Sequence, residues 1–183
     1  MSAHPPIGAD AVVPPRGVGL AARVRLARLR LRLRGALEAG RGVHVARGAR
    51  VRADGGGRVR LGDGCLLAAG CRIEAAGGNV AIGAGARLGE RSVIVALSEV
   101  TVGAGATVGD WAVLSDAEPT GADVEVPLRL QPPAPRPIAV GDHARIGAHA
   151  ALGAGARIAP GAVVGSYAVV PTPPESVRAP RSR

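Results

Sequence analysis

Phenylalanine and lysine are absent from this 183-residue chain, which holds one Trp, one Tyr, one Met and two Cys. Without rings to fill an interior, Val, Leu, Ile and Ala must build the core. No run of about 18 apolar residues occurs, so no segment of the sequence is long enough to span a bilayer as a helix. The opening MSAHPPIGADAVVPPRG lacks the basic-then-apolar order of a secretory signal. Cys65 and Cys71 stand six apart, a spacing that matches neither a redox pair nor a zinc site. They read as small apolar side chains in a reduced compartment, and the protein as cytoplasmic. The length suits one domain that buries its own core without disulfides or metals. With 28 Gly and 15 Pro a helical bundle is disfavoured, because Gly is costly inside helices and Pro breaks them. Disorder is disfavoured too, since aliphatic residues recur in strict order from residue 37 onward.

Every one of the 23 basic residues is Arg. Residues 1–60 carry 13 Arg against Asp10, Glu38 and Asp54, a balance of +10, whereas residues 61–183 balance at −1. A near-neutral body thus follows a basic N-terminal segment. Within that segment, GVGLAARVRLARLRLRLRGA (17–36) places Leu20, Val24, Ala27 and Leu31 at helical spacing, while Leu29, Leu31 and Leu33 alternate as a strand would. The spacing predicts a helix from about 18 to 30 that caps the first strands, whose edges must be covered. A basic amphipathic stretch also suits an anionic membrane surface. Nucleic acid is not an expected partner, because stacking aromatics and a recognisable module are both missing.

What the chain does have is a period of six. Leu61, Leu67 and Ile73 form one triplet, Ile82, Leu88 and Ile94 a second, and Val102, Val108 and Leu114 a third. Val140, Ile146, Leu152, Ile158, Val164 and Val170 continue unbroken, and Ala39, Val45 and Val51 make a weaker first triplet. Small residues follow four places later, as at Cys65, Ala86 and Ala106, and Gly often follows directly. Three short strands per coil make a triangular prism whose faces each use about six residues. The aliphatic points inward in mid-face, the small residue fits near a corner, and Gly suits the backbone of the corner. Alternating pairs such as Val59-Arg60-Leu61 and Ile138-Ala139-Val140 mark strands. Coils start at 39, 61, 82, 102, 140 and 158, giving about six.

This pattern over 37–170 resembles the hexapeptide-repeat family. The segment PIAVGDHARIGAHAALGAGARIAPGAVVGSYAVV (137–170) looks like the closing coils of sugar, galactoside and xenobiotic O-acetyltransferases. The resemblance implies an all-β solenoid, a left-handed parallel β-helix with a cap helix and one ejected loop. It also implies a homotrimer with acetyl-CoA in the groove between neighbouring prisms, and acyl transfer to a sugar-type hydroxyl of a small molecule. The chain then divides into a basic N-terminus and cap (1–36), the β-helix (37–170) and a Pro/Arg-rich tail (171–183).

The interval from Leu114 to Val140 is 26 residues where the period needs six, so 115–137 leaves the solenoid as a loop. Long loops of this kind usually serve a function. In the similar enzymes this loop supplies the histidine that deprotonates the acceptor. Here the chain reads Leu114-Ser115-Asp116-Ala117, and no His occurs between 45 and 142. Asp116 holds the motif position. It reads either as the base, if burial or coupling to Glu118 raises its pKa, or as a turn former. His149 reads either as a base reaching a neighbouring subunit or as a solvated surface histidine. His143 and His149 share an outward phase but lack the third ligand that zinc needs, so no metal is expected. By position Ala148 and Ser166 match the family's pantetheine contacts, though both are also plain corner residues. Arg178, with Arg181 and Arg183, would meet the CoA phosphates. Trp111 points outward, toward an acceptor pocket or, the preferred reading, a subunit interface. A competing reading follows from the missing loop histidine: a non-catalytic β-helix trimer that serves as scaffold or partner subunit.

Overall fold

Each aliphatic column of the repeat becomes one face of a prism in the computed structural model, which describes residues 19–119 and 133–171. The first sheet runs β1 (Leu37–Ala39), β4 (Arg58–Leu61), β7 (Asn79–Ile82), β10 (Glu99–Val102), β15 (Ile138–Val140) and β18 (Arg157–Ile158). The second runs β2 (His44–Val45), β5 (Leu66–Leu67), β8 (Arg87–Leu88), β11 (Thr107–Val108), β16 (Arg145–Ile146) and β19 (Val163–Val164). The third runs β3 (Arg50–Asp54), β6 (Arg72–Ala76), β9 (Val93–Ala96), β12 (Val113–Ser115), β17 (Ala151–Leu152) and β20 (Val169–Val170). All pairs within these sheets are parallel, and the chain visits the three faces in turn. The architecture is therefore a parallel β-solenoid of six coils.

The six coil starts read from the spacing are direct partners: Ala39, Leu61, Ile82, Val102, Val140 and Ile158 line up across the first sheet. Val45, Leu67, Leu88, Val108, Ile146 and Val164 do so across the second. Most of these side chains, and the matching column on the third face, are buried. Each large aliphatic taken out of water contributes about 1.5–3 kcal/mol. Corner positions inside the prism hold Cys65, Cys71, Ala86, Ser92, Ala106 and Ala112, all buried. The one hydroxyl among them is satisfied, since Ser92 Oγ donates to Gly89 O at 2.9 Å.

Where glycine follows the aliphatic at an interior coil, it is needed for a different reason than corner backbone geometry. At Gly103, which is not in the left-handed region, a Cβ would stand 2.5 Å from the Asp142 nitrogen of the next coil. Close approach between coils is what excludes a side chain there. Positive φ falls two residues later, at positions such as Gly105 and His143. Aspartates stitch the same corners: Asp63, Asp110 and Asp142 each accept, through Oδ1, the N–H of the preceding coil's Arg41, Glu90 and Ala104 at 2.7 Å.

At the N-terminal end lies α1 (Leu20–Arg32), starting and ending about two residues later than the sequence suggests. Ala22, Leu26 and Leu29 are its buried residues. Its arginines reach past them to strand-edge carbonyls, one on each face of the first coil. Arg30 donates to Ala39 O at 2.6 Å, Arg25 to Val45 O at 3.2 Å and Arg32 to Val51 O at 2.6 Å. Carbonyls that have no earlier coil to pair with are thereby satisfied. At the excursion, β13 (Ala117–Pro119) pairs antiparallel with β14 (Pro133–Pro135) and closes the base of the loop.

Two expectations follow. Arg25→Ala and Arg32→Ala should each cost about 1 kcal/mol of stability in chemical denaturation, the value of a partly exposed hydrogen bond lost at an edge; unchanged midpoints would show that the caps contribute nothing. Burial pushes the Cys65 and Cys71 thiols up from 9.0 to about 12, with Asp63 adding to the effect at Cys65. Both should resist iodoacetamide in the native protein and react on unfolding. Because the folded state holds these protons more tightly, their contribution to stability is complete below pH 9.0 and is lost as pH rises toward about 12.

Candidate functional site

The corner between the second and third sheets carries four hexads of one form: Leu88-Gly89-Glu90-Arg91, Val108-Gly109-Asp110-Trp111, Ile146-Gly147-Ala148-His149 and Val164-Gly165-Ser166-Tyr167. Their fourth residues adopt left-handed backbone, with φ of 52°, 58°, 58° and 61°. For a residue with a Cβ this conformation costs about 1–2 kcal/mol. Each of these N–H groups donates to the preceding coil, as from Trp111 to Glu90 O at 2.9 Å and from His149 to Asp110 O at 2.8 Å. Equivalent side chains therefore leave the prism at one height per coil and in one direction.

The result is a stack. Tyr167 and His149 lie 4.8 Å apart with planes 2° from parallel, and His149 and Trp111 lie 6.2 Å apart at 5°. The Arg91 guanidinium carbon sits 4.8 Å from the Trp111 ring centre, a cation over an aromatic face. Trp111 is 47% exposed and Tyr167 73%, so the column stands outside the core. A near-parallel ring lies on each side of the imidazole, Tyr167 closer and Trp111 more offset, and His149 remains exposed. Neither ring nitrogen of His149 makes a hydrogen bond with a described residue.

The two flanks of this ridge differ in chemistry. On the second sheet Arg87, Thr107, Arg145 and Val163 follow in register. On the third, Val93, Val113, Ala151 and Val169 do so. On this third-sheet flank Val113 and Val169 are exposed at 40% and 70%, and Val163 ends the arginine flank at 72%. Beside the rings lie three main-chain donors without acceptors among the described residues, the N–H groups of Asp110, Ala148 and Ser166. The equivalent N–H of Glu90 is taken by Asp110. The corner thus offers an ordered, exposed imidazole, free amide donors, arginines on one side and apolar surface on the other.

Of the residues singled out by sequence, the fold brings Ala148, His149 and Ser166 together here, with Trp111 beside them. Asp116 lies at another corner, between the third and first sheets, and is 0% exposed. Its Oδ1 accepts the Leu97 N–H at 2.8 Å, and its Oδ2 those of Ser98 at 2.7 Å and Glu99 at 2.8 Å. A carboxylate so engaged clamps the turn and leaves no surface exposed among the described residues. The Glu118 side chain and Arg178 lie outside the described residues. Sequence reading missed Arg91 and Tyr167 as members of a column. The signal was present: a large residue three places after the inward aliphatic, where Gly48 and Gly70 stand in earlier coils. Among the described residues no three His, Cys, Asp or Glu side chains converge as a metal site would require.

No protein-family model matches the chain, and no curated protein matches it in sequence. Among solved structures it is similar to AntD, an N-acyltransferase from Bacillus cereus in complex with dTDP and 3-hydroxybutyryl-CoA. The TM-score is 0.67 at 16% identity, covering 81% of this chain and 77% of that one. A single-site mutant of the same enzyme, with dTDP and Coenzyme A, gives 0.66 at 15% identity over 81% and 80% of the two chains. At this identity the likeness establishes the fold.

Asp116→Ala should cost about 2 kcal/mol, because three part-buried N–H groups lose a charged acceptor. Thermal and chemical denaturation check this, and a loss below about 0.5 kcal/mol would mean water replaces the clamp.

Proposed function

We propose that the chain is an acyltransferase that moves an acyl group, acetyl in the simplest case, from a CoA thioester to a sugar-type hydroxyl of a small molecule. The site lies between copies of a homotrimer, where the ridge of one copy faces the groove of the next. His149 carries this reading: an exposed imidazole with a near-parallel ring on each side and both nitrogens unengaged. A hydroxyl is deprotonated far above neutral pH and needs a positioned base, for which imidazole is the suited side chain.

In this mechanism the acceptor oxygen attacks the thioester carbonyl while a His149 nitrogen takes its proton. The C–O bond forms, the C–S bond breaks, and the imidazolium returns the proton to the departing sulfur. The N–H groups of Ala148 and Ser166 would hold pantetheine carbonyls, and Arg178 the phosphates. The shared solenoid with an acyltransferase that bound 3-hydroxybutyryl-CoA supports CoA as the donor class. No described helix is long and apolar enough to cross a membrane, and both cysteines are free and buried, which suits the cytoplasm. One observation favours a second reading, a scaffold trimer without catalysis: Asp116, at the position of the family's loop motif, is committed to a turn.

The test follows acetyl-CoA-dependent thiol release with a panel of sugars bearing free hydroxyls or amines. His149→Asn should lower kcat on hydroxyl acceptors about 10²–10⁴-fold while leaving acetyl-CoA affinity within a few-fold. An unchanged kcat would remove His149 as the base. Absence of saturable acetyl-CoA binding in calorimetry would favour the scaffold.

A further inference from the structure

The helix that closes the solenoid has two apolar faces. At 3.6 residues per turn, Ala22, Leu26 and Leu29 share one side, and these are the residues buried in the structure. Leu20, Val24, Ala27 and Leu31 fall on the other side, about 180° away. Leu20 is 78% exposed and Leu31 64%. The stripe runs about 17 Å along the outer surface, at 1.5 Å per residue.

Arginines divide according to these faces. Arg25, Arg30 and Arg32 lie on the inner shoulders and turn down to the first coil's carbonyls. Arg28 borders the outer stripe, and Arg23 sits beside Arg30 on the opposite shoulder, above the corner that holds Asp63; both are exposed, and neither bonds to a described residue. The helix contains no Asp or Glu. Apolar side chains edged by guanidinium groups, with no anion on the helix itself, are what a helix lying flat in a lipid headgroup layer presents. Charge decides between occupants. A second copy would set Arg23 and Arg28 against their own equivalents, which is repulsive. Nucleic acid would meet the arginines but give Leu20 and Leu31 no apolar partner.

We infer that the outer face of α1 docks on an anionic phospholipid bilayer. Because α1 lies across the end of the prism, reaching all three faces of the first coil, the solenoid stands end-on with its coils leading away from the lipid. The stack of Trp111, His149 and Tyr167 belongs to the later coils and faces water in this pose.

The full-length protein is sedimented with phosphatidylcholine vesicles and with phosphatidylcholine vesicles containing phosphatidylserine. Binding is expected only to the second, declining with salt, and weakened about fivefold by each of Arg23→Gln and Arg28→Gln. The double variant Leu20→Ser/Leu31→Ser should weaken it at least about tenfold. Its circular dichroism and melting curve should match the parent's, since both side chains are exposed. Equal binding to the two vesicle types, or none to either, overturns the proposal. So does undiminished binding by the double variant, which would reduce the attraction to diffuse positive charge. A parent that self-associates in ultracentrifugation, and stops doing so in the double variant, would assign the stripe to a second copy instead.

Discussion

Backbone hydrogen bonds between successive coils fix where everything else in this solenoid lies. Gly62 N–H meets Ile82 O at 2.7 Å, Gly83 N–H meets Val102 O at 2.7 Å, and Gly103 N–H meets Val140 O at 2.8 Å. A residue added within a face would turn inward aliphatics outward for the rest of that coil. Corners carry no such restriction. The excursion after Ser115 leaves at one and returns to it, so Val102 and Val140 are direct partners although 38 positions separate them. Asp116 and the β13–β14 pair close the exit, which keeps the length of the loop from disturbing the stack beneath.

The same register creates the candidate site. Strands repeat about 4.8 Å apart, close to the separation preferred by stacked rings, so identical corners on successive coils pile their side chains face to face. Left-handed backbone at a non-glycine residue costs about 1–2 kcal/mol, and a stacked pair contributes about 0.5–1.5 kcal/mol. The two nearly offset one another. Glycine holds the equivalent positions 48 and 70, so the first coils do without both the strain and the stack. Rings gather where the late coils offer their free amide donors, and a planar, oriented imidazole is the outcome.

The fold was legible because the interior imposes a strict choice at every sixth residue, and all the coil starts are true partners. The cap helix was less legible. A stretch with apolar residues on two opposed faces and arginines between them supports helical and strand periods alike, which is why Leu29, Leu31 and Leu33 suggested both. The arginine-to-carbonyl bonds could not be read at all, since they depend on how the helix crosses the first coil. Trp111, His149 and Tyr167 were each visible as outward residues. Seeing them as a column required carrying the register across the loop, from 111 to 149. For Asp116 the sequence left base and turn former open, and only burial with three N–H donors distinguishes them.

A parallel solenoid has complementary ends. The last coil of one molecule presents the pattern of donors and acceptors that the first coil of another could continue, and such head-to-tail contacts do not close on themselves. Stacked that way, the chain would grow as an open fibre with one endless core. By covering the first coil and occupying a carbonyl on each of its three faces, Arg25, Arg30 and Arg32 remove one of the two surfaces that such growth requires. The cap helix makes the molecule finite.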